Sequence, residues 1–188
     1  MAIENWSFDL VHSSINFWVR HLMVSKVHGR FGQWTGSLQL DESNLAASSL
    51  DIQIDAASID TREPQRDTHL RSADFLEAEK YPHLTFKSTA VKVAGKDSFE
   101  VQGNLTIRGV TKPVTLEVES SGRVKDPWGG ERAGFSAHGS IERKDFGLTW
   151  NKALEAGGVV VGDKVEISIE IEAVRKLEAA KAPPEVRA

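Results

Sequence analysis

Apolar and polar residues alternate one by one along most of this chain, and a period of two confines it to β-sheet. Ile15, Phe17 and Val19 fall on one face, with Asn16, Trp18 and Arg20 on the other. Leu50, Ile52 and Ile54 alternate in the same way with Asp51, Gln53 and Asp55. Further runs are Phe99 to Ile107, Val114 to Val118, Phe135 to Ile141 and, clearest of all, Val165 to Ala173. Leu22 to His28 breaks the pattern, and Arg30 to Leu40 resumes it, with Gly32 and Gly36 as bend points. Leu84 and Phe86 are even positions whereas Val91 and Val93 are odd, so a bulge is expected near Ser88–Ala90.

Such segments make about eight or nine strands, nearly all with one apolar face. Short connections pair them antiparallel, and the apolar faces must be covered in a sandwich or a closed barrel. An eight-stranded barrel is just wide enough to be filled by side chains or to hold one small ligand. Gly103, Ala137 and Gly139 lie on the apolar faces where large residues would fill the interior. They are either corners of a barrel or small residues that leave an elongated cavity for a lipid-like occupant.

Ser58 to Ser88 does not read as strand throughout, yet it reads as ordered. Thr61 is placed to cap a helix with Pro64 in its first turn. Asp67 and Arg71 are four apart on that helix, and Asp74 to Glu77 has the form of a second helix start that Pro82 would stop. The segment gathers Arg62, Arg66, Asp67, His69, Arg71 and Asp74. One reading is a helix pinned by ion pairs, with Asp55 and Asp60 as partners. The other is a polar collar that meets a ligand head group.

Composition removes several classes of function. The chain has no cysteine, which excludes disulfides, thiolate metal sites and thiol catalysis. Its net charge of −4 offers no general basic surface for nucleic acid. No apolar run is long enough for a helical membrane span. The N-terminus lacks a signal-peptide pattern, so a cytoplasmic protein is expected, or a periplasmic one if the sequence is a processed form. His12, His21, His28, His69, His83 and His138 show no metal-ligand spacing. There is no Gly-x-Ser-x-Gly elbow and no P-loop, so no catalytic residue, metal or cofactor is expected. The five tryptophans are expected as core or rim anchors. One domain over residues 1–175 and a flexible tail over 176–188 complete the expectation.

Several pieces, taken in order, resemble the YceI-like family, also called the polyisoprenoid-binding or lipid-binding YceI domain. They are His12-Ser-Ser-Ile-Asn-Phe17 with Arg20-His21, Gly29-Arg-Phe31, and Ser58-Ile-Asp-Thr61. Arg66-Asp-x-His-Leu-Arg71 with Asp74-Phe75, and Tyr81-Pro82 with Thr85-Phe86-Lys-Ser88, follow. Gly103-Asn-Leu-Thr-Ile-Arg-Gly-Val-Thr-Lys-Pro-Val114 and Arg143-Lys-Asp-Phe-Gly-Leu148 carry the likeness onward, and together the pieces span roughly Trp6 to Ala173.

The resemblance implies a lipocalin-like antiparallel β-barrel, here of about eight strands with a short helical insertion. It implies a carrier for a polyisoprenoid or fatty-acyl-like lipid, often as a homodimer, without established catalytic residues. Our own reading of the residues lines the interior with Ile15, Phe17, Val19, Ile52, Ile54, Phe86, Phe99, Val101, Leu105, Phe135, Ile167 and Ile169. It assigns a head group to His21, Arg66, His69 and Arg71. Two alternatives stay open. One is an enzyme acting on an isoprenoid- or quinone-like substrate through His69 or His21. The other is a stress-response scaffold with a filled barrel.

Overall fold

The computed structural model describes residues 3–41 and 43–176. Eleven strands form one antiparallel sheet: β1 Glu4–Phe8, β2 Ser14–His21, β3 Ser25–Phe31, β4 Trp34–Leu40, β5 Ser49–Asp55, β6 Ile59–Asp60, β7 His83–Val93, β8 Ser98–Ile107, β9 Val110–Lys125, β10 Glu131–Glu142 and β11 Val161–Arg175. Three pairs of them are single staves with an interruption. β1 and β2 both pair with β11, and only the loop at residues 9–13 separates them. β3 and β4 pair in turn with β2 and β1, and β6 and β5 pair with β3 and β4. The remaining order is β7, β8, β9, β10 and β11, so every neighbour in the eight-stave ring is the next stave in sequence. Ser7 and Val174 meet at the closure. Eight staves agree with the eight or nine strands that the alternation predicts; the larger strand count comes from interruptions inside staves.

Two details of the alternation come out differently. Residues 25–28, expected to interrupt the pattern, lie in β3, where Val27 faces Val19 and Gly29 faces Phe17. A glycine on the inward face hides the alternation from inspection by hydrophobicity. Gly36 is a regular strand residue opposite Ile52, whereas Gly32 does mark the bend between β3 and β4. The bulge between Ser88 and Ala90 is present, and it brings both Phe86 and Val91 to the inside.

The insertion between β6 and β7 holds one helix, α1 Pro64–Arg71. Pro64 opens it, at the position where a missing N–H is harmless. Its cap is Glu63, whose carboxylate accepts from the amides of Gln65 and Arg66, and not Thr61. Thr61 is buried and donates its hydroxyl to Asp67 at 2.6 Å. That bond takes Asp67 away from Arg71, which donates to the carbonyls of Ala57 and Ile59. Asp60 forms its ion pair with Arg30 and meets the insertion by accepting from the backbone amide of Arg62. Residues 72–81 fold as successive turns in place of the expected second helix, with Glu77 in the left-handed region at φ 48. Arg108 of the β8–β9 turn holds them down through Glu77 and the carbonyl of Phe75.

The main core runs along the barrel axis and includes Ile15, Ile54, Leu84, Phe86, Val101, Leu105, Leu116 and Phe146. A second cluster of Trp6, Ala133 and Ala173 lies toward the end where β1 meets β11. Pairing between β9 and β10 stops at Glu117 and His138. Beyond it a 3-10 turn, Arg143–Phe146, packs against both strands, with Phe146 only 1% exposed. Trp34 is likewise a core residue, but Trp128 stands 83% exposed on the β9–β10 turn and anchors nothing.

Candidate binding site

Inward-facing side chains leave a space of about 520 Å³ inside the barrel, a size suited to a small-molecule ligand. All twelve residues expected in the interior lie on its wall, which the alternation makes possible by sending every second side chain inward. Phe8, Phe31, Leu38, Val118 and Ile171 extend the wall. Leu70, Phe75, Leu76 and Leu148 close one end, so the insertion serves as a plug with an apolar underside. Ala137 lines the space. Gly103 and Gly139 do not leave room for a ligand, because a Cβ at either would meet the ring of Phe86 or Cδ2 of Leu116. Each glycine is a seat for a neighbouring large side chain.

Six polar residues reach the wall: Asn16, Ser48, Ser49, Ser120, Arg123 and Arg143. Arg143 sits by the plug, 3% exposed, and its guanidinium donates to the carbonyls of Leu148, Trp150, Val161 and Gly162 and to Asp163. Burial pushes its pKa down, and Asp163 offsets part of that. Its hydrogen-bonding capacity is spent on holding the plug-side loops together.

Arg123 belongs to the opposite end, and the alternation hides it. Val114, Leu116 and Val118 are even-numbered and inward, which would send an odd-numbered arginine to solvent. A register shift opposite Gly134–Phe135 pairs Ser120 with Phe135 but Arg123 with Ala133, and so turns Arg123 inward. The only sequence signal is the Ser120-Ser121-Gly122 break in the pattern. Arg123 lies 4.9 Å from the ring of buried Trp6 and pairs with Glu4 and Glu131. Arg175 contacts the same two glutamates at 2.8 Å, which makes a four-membered charge cycle. Arg175, and secondarily Arg123, hold the Glu131 carboxyl below the usual range.

The four residues assigned to a head group lie elsewhere. Arg66 donates to the hydroxyl and carbonyl of Thr61, and Arg71 to the carbonyls of Ala57 and Ile59 just before the insertion. His69 contacts Asp74 at 2.7 Å and stands edge-on to Phe75 and Trp150. His21 ends β2 opposite Val161. None of the four is on the cavity wall. His21 and His69, the histidines of the enzyme alternative, therefore do not face a substrate held there.

Among the described residues, Asp9, His12 and Glu172 bring potential metal-ligand atoms within 4.8 Å of one another. Arg132 already contacts Asp9, Asp126 and Glu172. This is an ion-pair network with its cation supplied by the protein. A hydrogen bond from the His12 ring, and then one from Arg132, hold the Asp9 carboxyl far below its usual range.

Residues 6–173 match the YceI-like domain. The chain is 43% identical over 165 residues to the protein YceI of Salmonella newport, across 88% of this chain and 83% of that one. Among solved structures it is similar to the YCEI protein of Campylobacter jejuni, with 34% identity, a TM-score of 0.73, and 84% and 90% of the two chains covered. A polyisoprenoid binding domain from Saccharophagus degradans shares the fold at 17% identity and a TM-score of 0.66, over 91% of this chain and 98% of that one.

Proposed function

This chain belongs to the YceI-like domain family, and from that premise we propose that it is a non-catalytic carrier for an isoprenoid or other long-chain amphiphile. The observation that carries the reading is the cavity: about 520 Å³, walled mainly by aliphatic and aromatic side chains, with Arg123 and Arg143 as its charged lining among the described residues. Such a wall rewards chain length, at about 0.8 kcal/mol per buried CH₂ before ordering costs. Among the described residues its wall carries no carboxylate or imidazole to act as a general base, which supports binding over turnover. The structural likeness to a polyisoprenoid binding domain points the same way.

The tail occupies the apolar length and the head lies toward Arg123, Ser48, Ser49 and Ser120. Glu4 and Glu131 beside Arg123 disfavour a second anion, so the head is uncharged and accepts a hydrogen bond. The carrier is a homodimer, and sedimentation over a range of concentrations tests that part. Organic extracts of purified protein, examined by mass spectrometry, test the main reading. A reproducible long-chain lipid, rebound with affinity that rises with length, is the expected result. No lipid in the extract and no binding of prenyl chains of any length would overturn it. Arg123→Met should reduce the preference for polar-headed over headless chains and leave the length dependence intact.

A further inference from the structure

The hairpin joining β2 to β3 carries a feature that the cavity does not use. Its tip, Leu22-Met23-Val24, is apolar and 40%, 60% and 79% exposed. Both central residues are left-handed, Leu22 at φ 49 and Met23 at φ 62, in a turn closed by the amide of Val24 on the carbonyl of His21. Asparagine and glycine suit that geometry, and large side chains do not. The turn thus keeps apolar bulk exposed in a conformation that opposes it, with Val24 the most exposed and the Met23 sulfur resting against Gly158.

Charge along the hairpin's own strands is one-sided, while Glu166 of β11 stands beside Trp18 at its foot. From Asn16 to Arg30 there is no acidic residue, in a chain of net charge −4. Arg20 and Lys26 face each other across the hairpin on its outer side. Neither has a carboxylate partner among the described residues, and Lys26 lies 4.0 Å over the ring of Trp18. Trp18 and His28 form the next cross-strand pair. Outward from the barrel, the order is therefore tryptophan, two cations, apolar tip. That order matches the interface of an anionic bilayer, with aromatic rings and cations at head-group level and the tip in the acyl boundary.

We propose that this hairpin docks the protein onto a membrane surface rich in anionic phospholipid. Its position suits a carrier: His21 pairs with Val161, and Val19, Val161 and Val165 line the cavity at that end. For its use the docking rests on the carrier reading, but it is tested apart from it.

The test is co-sedimentation of the full chain with vesicles of phosphatidylcholine alone or with about 30 mol % phosphatidylglycerol. Binding is expected with the anionic vesicles and should weaken with salt. Leu22→Ser/Met23→Ser/Val24→Ser should weaken it by about tenfold or more, and Arg20→Gln/Lys26→Gln should remove most of its dependence on phosphatidylglycerol. Circular dichroism confirms that both variants are folded. Absence of vesicle binding, or equal binding by the variants, overturns the proposal. So does a triple variant that loses self-association in sedimentation while keeping vesicle binding, which would assign the tip to a second copy of the chain. Lipid content of the same variants, measured by extraction, reports on the carrier reading separately.

Discussion

The ring of Phe86 lies where a side chain at Gly103 would begin: a Cβ there would stand 2.3 Å from Cζ of Phe86 and 2.7 Å from the carbonyl oxygen of Lys87. The two residues are on adjacent strands, and the missing side chain lets an aromatic ring lie flat against the wall.

Gly103→Ala should therefore destabilise the protein by about 1–3 kcal/mol, as overpacking does. Thermal unfolding measures this. Phe86→Leu in the same chain should recover only part of the loss, because the carbonyl of Lys87 cannot move away as a side chain can. In the single variant the ring is pushed toward the cavity, so the longest bound chain should become shorter.

Arg143→Met should cost about 3–5 kcal/mol in urea unfolding, because it strips a buried cation from the four carbonyls it joins, among them the buried one of Leu148. Arg143→Lys should recover little. A single ammonium cannot reach the separate acceptors that a planar guanidinium spans. Since those acceptors belong to loops around the plug, either variant should also release bound lipid faster.

His12 should titrate above its ordinary 6.5, first because its ring is hydrogen-bonded to the Asp9 carboxylate and then because of that charge and Glu172. The sign follows. A raised folded pKa means stability that is full below pH 6.5 and is lost as pH rises through the folded value. For Asp9 the folded pKa is lowered, so its contribution is present above the unfolded value of 3.8 and is lost in acid. NMR titration of the His12 ring checks the first point, and Asp9→Asn should return its midpoint toward 6.5.

Much of the barrel was legible because the alternation is regular and most departures from it carry a mark. The parity change at Ser88–Ala90 located a bulge, and each expected interior position reached the wall. Glycines were harder. Gly29 and Gly103 face inward, but nothing in their own identity says that Phe17 and Phe86 lie over them. Arg123 was missed because its inward turn depends on a register slip against β10, a pairing that no local pattern states. Thr61 has the chemistry of a cap, yet a buried contact with Asp67 takes it and leaves capping to Glu63. The insertion's arginines attract a functional reading by their number, whereas their geometry commits them to nearby main-chain oxygens.

Replacing the hairpin tip by Leu22→Asn/Met23→Gly should raise stability by about 1–2 kcal/mol, since both residues tolerate the left-handed conformation. Thermal unfolding reads the gain, and vesicle co-sedimentation should read a loss in the same variant. A gain in one measurement against a loss in the other separates a tip kept for binding from a tip kept for folding.

The sequential order of the ring also sets how the molecule is assembled. Each stave can pair with the one made just before it, so most of the sheet grows by short-range zippering as the chain lengthens. One seam cannot grow that way. Ser7 and Val174 stand 167 residues apart, and the first stave must wait for the last before the wall is whole. Until then the sheet is an open trough with two bare edges and an unroofed greasy floor. Among the described strands, that seam closes the longest loop of the sheet and carries its largest loop-closure cost.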